Sequence, residues 1–309
     1  MGSLNHYTQH PIVSRADGAG RRFSSNGPKP KATDLRLHNS PHPRNARVVR
    51  FQSFTAIQLA FLAVLVLFII VPVASIFLEI PKGNVFTAGF ASSTLSAIRI
   101  SLITSGASLG LMILLGIPSA RFLSRSQVKG KKILDTIVDL PIVLPPAVAG
   151  LALLLAFAPR SPIGAFLLQY GLILPGNILA VVMAETFVAM PFFVRSAMTA
   201  FQEVDPRLEM AAGILSPSSS YSFRRVVLPL ASRGLIAGAI LGWGRALGEF
   251  GATLLFAGNL PGITQTMPLA IYLDLEENIY QASLVSAILI VISFAIIATV
   301  RYGMGSRAV

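Results

Sequence analysis

Apolar residues run through this chain in blocks too long and too continuous to be one face of a soluble helix. A helix needs roughly 20 residues to cross about 30 Å of hydrocarbon. Segments of that kind stand at 54–78, 101–120, 140–158, 178–194, 234–257 and 282–300, so the pattern predicts six transmembrane helices and an all-α membrane fold. The last has no charge between Ala282 and Val300, whereas the fourth and fifth carry charged residues. Pro141, Pro145 and Pro146 at the start of the third, and Pro191 in the fourth, are expected to bend or break their helices and free carbonyls to line a cavity.

Between the fourth and fifth spans the pattern changes. The stretch VDPRLEMAAGILSPSSSYSFRRVVLPL (204–230) is too amphipathic for a plain loop and too charged to span. It predicts two short helices. Asp205 and Pro206 suit a helix start, Leu208, Ala211, Ala212 and Leu215 share one face, and Ser216-Pro217 breaks the run. The second helix carries Tyr221, Phe223 and Val226 before Leu228-Pro229 opens the next span. A polar knob between two spans suits docking into a groove on a soluble partner. An amphipathic helix lying on the lipid headgroups is the alternative.

Composition agrees with the spans. Apolar residues make up 53% and charged residues 12% of the 309, with a mean hydropathy of +0.69, too apolar for a soluble domain of this length. Lysine and arginine accumulate on the cytoplasmic side of membrane proteins. With the N-terminus inside, the inner segments hold the basic tail, then Arg121, Arg125, Lys129, Lys131 and Lys132, then Arg207, Arg224 and Arg225, then Arg301 and Arg307. The outer loops keep Lys82 and Arg160, together with acidic Asp274, Glu276 and Glu277. The net charge of +12 is therefore topology and tail. A nucleic-acid surface would interleave its basic residues with stacking aromatics, and that pattern is absent.

The sequence also narrows the chemistry. It has no cysteine, and its four histidines (His6, His10, His38, His42) all lie in the tail, so no span brings a thiol or an imidazole for nucleophilic, acid/base or metal work. No metal site and no catalytic group are expected. A phosphate-binding loop is missing too, since Gly130-Lys131-Lys132 lacks both the upstream glycine and the hydroxyl. If ATP drives the protein, another chain hydrolyses it.

Residues 1–52 form a basic tail rich in arginine, serine, proline, asparagine and glycine, for which disorder is expected. Organelle transit peptides share that acidic-poor composition, which keeps an organelle inner envelope membrane open beside a plasma membrane. The membrane domain is expected over 53–303, its polar loop at about 201–230, and a short C-terminal tail over 304–309.

Charges inside the bilayer are costly and mark sites of interest. Arg245 and Glu249 are one helical turn apart on the fifth span, while Glu185 and Arg195 lie on the fourth and Arg99 at the start of the second. They suit either a polar path for an anion or a lock between helices. Gly234, Gly238 and Gly242, followed by Gly244 and Gly248, form a stripe that lets another helix approach closely.

The polar loop resembles the coupling loop of bacterial ABC-importer permeases, whose pattern is Glu-Ala-Ala, then a glycine, then hydrophobic-x-Leu-Pro. Counting back from Val226, Leu228 and Pro229 puts Met210, Ala211 and Ala212 on the Glu-Ala-Ala positions and Ser216 on the glycine, with Glu209 beside the replaced glutamate. Three further stretches, LPIVLPPAVAGLALLLAF (140–157), ETFVAMPFFVRSAM (185–198) and GRALGEFGATLLFAGNLPGITQTMPLAIYLDLE (244–276), look like the molybdate-type permease. Sulfate-type relatives share the GEFGAT-like block and diverge after Gly258-Asn259. The resemblance implies a homodimer in the bilayer that imports molybdate or a related oxyanion such as tungstate. It also implies that Arg207, Glu209 and the loop motif dock on a separate ABC ATPase, while an extracytoplasmic molybdate-binding protein delivers the substrate. Two rivals stand beside it: a sulfate or thiosulfate permease, and a proton-coupled secondary transporter using Glu185 or Glu249.

Overall fold

The computed structural model describes residues 45–80, 92–215 and 218–305, and their regular structure is helical throughout. Residues 1–44 of the tail, Lys82, Ser216 and residues 306–309 lie outside the described residues. Contacts separate the chain into Met1–Ala60, whose described part is the start of the first helix, and Phe61–Val309, which holds the remaining elements.

The first helix, α1 (Asn45–Glu79), is predominantly apolar on every side from Ala56 to Leu78, with side chains such as Phe61 and Phe68 exposed at 73% and 76%. Such a helix belongs in lipid or against other spans. It is followed by α2 (Ser92–Arg125), α3 (Lys131–Val143), α4 (Pro146–Phe157), α5 (Pro162–Leu168) and α6 (Ile178–Glu203). The polar loop holds α7 (Pro206–Leu215), α8 (Ser219–Ser222) and a π-helical turn (Phe223–Val227). The chain closes with α9 (Leu228–Leu247), α10 (Gly251–Ala257), α11 (Met267–Glu277) and α12 (Ile279–Gly305). Among the described residues five stretches are long and apolar enough to cross a membrane, and α3 with α4 makes a sixth if that bent pair counts as one span.

Two of the expected spans are broken. Leu144 (ψ 130°) and Pro145 (ψ 136°) each precede a proline, whose ring disfavours helical backbone in the residue before it. Both are extended, and α3 and α4 meet at 113°. The fifth apolar segment stops at Leu247 and resumes at Gly251. In the gap, the Glu249 carboxylate accepts the Ala252 N–H (2.9 Å) and so satisfies a free donor at the start of α10. α4 and α10 then pack on each other through glycine: a Cβ on Gly150 would lie 2.7 Å from the Ala252 carbonyl, and one on Gly251 would lie 2.9 Å from Pro146 Cβ.

The second span is longer than 101–120 because its ends are polar rather than non-helical. Thr94, Ser101, Thr104, Ser105 and Ser108 recur at helical spacing and are all buried. α2, α6 and α9 form the centre of the larger unit, with Met112, Phe193, Phe201 and Val227 meeting between them and the π turn. Lipid tails are as apolar as these side chains, so close packing and hydrogen bonds, more than hydrophobic exclusion, hold the spans together.

Candidate functional site

The polar loop is built as an extension of its flanking spans. Asp205 Oδ1 accepts the Arg207 N–H (2.8 Å), and Pro206 occupies the first turn of α7, where its missing N–H costs nothing. α8 leads through the π turn straight into α9, with no break at Leu228-Pro229. Pro229 cannot donate back to Arg225, and its ring crowds that carbonyl. The wider turn relieves this, and the Leu228 N–H bonds to the Phe223 carbonyl five residues earlier. Phe223 rests on Phe201 with ring centroids 6.1 Å apart, and Val227 is fully buried, which anchors the loop on the end of α6.

The face expected on α7 is split. Ala212 turns inward at 7% exposure, whereas Leu208 (48%), Met210 (62%), Ile214 (86%) and Ala211 face outward. The side chain of Leu215 lies outside the described residues. The outward patch is therefore centred on Met210 and Ile214, one helical turn apart.

Arginines fasten the loop and the neighbouring helices. Arg121, near the end of α2, is ion-paired through Nη2 with Oε1 of Glu209 on α7. Arg125, one turn further on, donates to the carbonyls of Phe201 (3.1 Å) and Val204 (2.6 Å), two acceptors that the end of α6 leaves without helical partners. Arg195 does not pair with Glu185. Its guanidinium embraces the Asp139 carboxylate, donates to the Asp135 carbonyl (3.0 Å) and lies 3.8 Å from Asp135 Oδ1, clamping α3 onto α6.

Deeper in the bundle, Glu185 is 1% exposed. Thr104 and Ser108 of α2 donate to its two oxygens at 2.8 and 2.9 Å. The same stripe on α2 reaches two more helices: Ser105 accepts from Trp243 Nε1 (2.9 Å) on α9, and Ser101 accepts the Met267 N–H (2.7 Å) of α11. Arg245 Nη1 lies 2.6 Å from Glu249 Oε2 in an ion pair one helical turn apart. With its other oxygen on Ala252, Glu249 is engaged on both sides at the corner between α9 and α10.

The glycine stripe divides by function. A Cβ on Gly234 would come within 2.5 Å of Ala200 Cβ, one on Gly238 within 2.7 Å of Ser196 Cβ, and one on Gly242 within 3.0 Å of Met112 Sδ. These three let α9 lie against α6 and α2. Gly248 instead ends α9, and Gly244 faces open space. Pro141 and Pro191 line a groove of about 300 Å³ between α2, α3 and α6, which continues past Leu115, Thr186 and Phe187 into an apolar groove of about 580 Å³ beside α4. Among the described residues no three His, Cys, Asp or Glu side chains are grouped to hold a metal.

Reasoning from sequence missed Asp135, Asp139, Thr104, Ser108, Arg121 and Arg125 as partners. Asp135 and Asp139 did carry a signal, a pair of carboxylates at helical spacing on a short amphipathic helix beside an arginine-bearing span.

The family model described as "Binding-protein-dependent transport system inner membrane component" matches residues 112–308. The chain is similar to the molybdenum transport system permease protein ModB of Mycobacterium tuberculosis, with 36% identity over 242 residues, 78% of this chain and 90% of the relative. It is also similar to the sulfate transport system permease protein CysT of Salmonella typhimurium, with 37% identity over 198 residues, 63% of this chain and 72% of the relative. Among solved structures, a chain of a bacterial alginate ABC transporter in complex with an alginate pentasaccharide-bound periplasmic protein superposes with a TM-score of 0.69 at 17% identity, over 83% of this chain and 95% of that one.

Proposed function

Because the chain belongs to the family of binding-protein-dependent transport system inner membrane components, we infer that it forms the membrane pore of an ATP-driven importer for molybdate or a closely related oxyanion such as tungstate. The observation that carries this is 36% identity extending across 90% of a molybdenum permease. The helical loop between α6 and α9, with its outward apolar patch, supports docking on a separate ATPase.

In this reading two copies of the chain enclose the path, and each presents its α7 loop to one ATPase subunit on the cytoplasmic side, where the lysines and arginines also gather. A soluble binding protein delivers the oxyanion from outside, beside Asp274, Glu276 and Glu277. Closure of the ATPases on ATP draws the two loops together and tips the bundle from inward- to outward-facing. The chain makes and breaks no covalent bond. Glu185 and Glu249 are each held by partners of their own, so they serve as ties between helices rather than as oxyanion contacts.

The relative in Salmonella typhimurium favours sulfate as the second reading. Uptake of labelled molybdate, measured in cells carrying the complete transporter, separates the two. Tungstate is expected to compete while a large excess of sulfate leaves uptake unchanged. Equal competition by sulfate assigns the sulfate class instead, and uptake that survives ATP depletion assigns a proton-coupled carrier.

A further inference from the structure

We propose that Arg121 is the receiving residue on α2 through which movement of the α7 loop enters the membrane spans, with Glu209 as its counter-charge. This rests on the docking of the loop on an ATPase. α7 packs on the segments that follow it, α8 and the π turn, and these feed α9 directly. The Arg121–Glu209 pair adds a second attachment, to a different span. α2 is tied by hydrogen bonds to three other helices, so its displacement reaches each of them: Thr104 and Ser108 hold Glu185 of α6, Ser105 holds Trp243 of α9, and Ser101 holds the backbone of α11. At 1.5 Å per residue, Arg121 lies about 25 Å along the helix from Thr104. Pro118 stands between them, one turn from Arg121, and gives α2 a place to flex.

The neighbouring arginine has a different task. Arg125 holds the end of α6, so the lower ends of α2 and α6 move as one body. A pull on Glu209 is then delivered to both helices. Met210, on the position where related loops carry glutamate, is exposed and has no charge with which to do this. Glu209 points back to its own chain, and the ionic link in this loop is intramolecular.

The test is charge reversal in the complete transporter, purified with its ATPase and reconstituted in liposomes, with oxyanion uptake and ATP hydrolysis measured together. Arg121→Glu and Glu209→Arg are each expected to keep the ATPase bound, yet to lower uptake per ATP by about tenfold or more. The double variant Arg121→Glu/Glu209→Arg is expected to recover most of that loss. Arg121→Lys, which keeps the charge without the fork, is expected to fall between wild type and Arg121→Glu.

Single reversals that transport normally, a double variant no better than either single, or single reversals that shed the ATPase each overturn the proposal. The last outcome would place Glu209 in docking itself. Should either reversal fail to fold and insert in the membrane, the neutral pair Arg121→Gln and Glu209→Gln replaces it, and uncoupling by the two together equal to the sum of the two alone refutes the link. A wild-type complex that carries no ATPase refutes the importer reading instead, which keeps the two failures apart.

Discussion

Glu185 is a carboxylate in the middle of a membrane bundle, and its surroundings decide what it does. Each of its partners has a second acceptor nearby: Thr104 Oγ1 is 2.9 Å from the Ile100 carbonyl, and Ser108 Oγ is 3.1 Å from the Val182 carbonyl. A hydroxyl has one proton to give, so both hydroxyls can turn away from Glu185 without being stranded. An amide fits the same place, accepting from one hydroxyl and donating to the other. Glu185→Gln is therefore expected to unfold in detergent within about 1 kcal/mol of the wild type and to transport normally. Glu185→Ala removes the tie and leaves a void between α2 and α6, for an expected loss of about 2–4 kcal/mol. Thermal unfolding of the two variants, with uptake alongside, checks this. Loss of uptake in the Gln variant at unchanged stability would instead make Glu185 a proton carrier.

At the scale of elements, the α6–α9 seam depends on what glycine lacks. Gly238 faces Ser196, and Ser196 Oγ donates to the Gly234 carbonyl (3.1 Å), a contact made possible by the close approach of the two backbones. Gly238→Leu must separate the helices and is expected to cost about 1–3 kcal/mol, whereas Gly244→Ala, on the same helix but facing open space, is expected to have little effect. Unfolding midpoints of the pair measure the seam directly, and equal midpoints would remove it as a determinant of stability. These elements differ in how far the sequence exposes them. Apolar runs reveal the spans because lipid enforces one composition, and Pro145-Pro146 reveals a break because a proline restricts the residue before it. The start of α2 stays hidden, since Thr94 and Ser101 read as polar until their partners on other helices are known. Likewise Arg195 finds its carboxylates on α3, 56 residues away for Asp139, and no local spacing encodes that choice. The hydrogen bond from the Ala252 N–H to Glu249 is local, yet it marks a break inside the segment 234–257 that composition alone reads as one span.

At the scale of the whole molecule, the question is what covers the outer face of α7. Ile214 is 86% exposed and Met210 62% exposed on a short helix tethered at its inner side by Ala212 and Glu209. An isoleucine so placed adds almost nothing to the stability of its own chain, so replacing it tests an external contact with little risk to folding. Buried apolar anchors at the centre of a docking surface carry much of its binding energy, and placing a charge there costs about 2 kcal/mol or more. Ile214→Asp is accordingly expected to insert and fold like the wild type while retaining about thirtyfold less ATPase after affinity purification, in line with that penalty. Arg207→Gln, exposed at the start of the same helix, is expected to have a smaller effect that shrinks further with salt, as for a charge at the rim of an interface. If Ile214→Asp keeps its full complement of ATPase but loses affinity for lipid vesicles, the patch lies on the membrane surface, and coupling must enter the chain elsewhere.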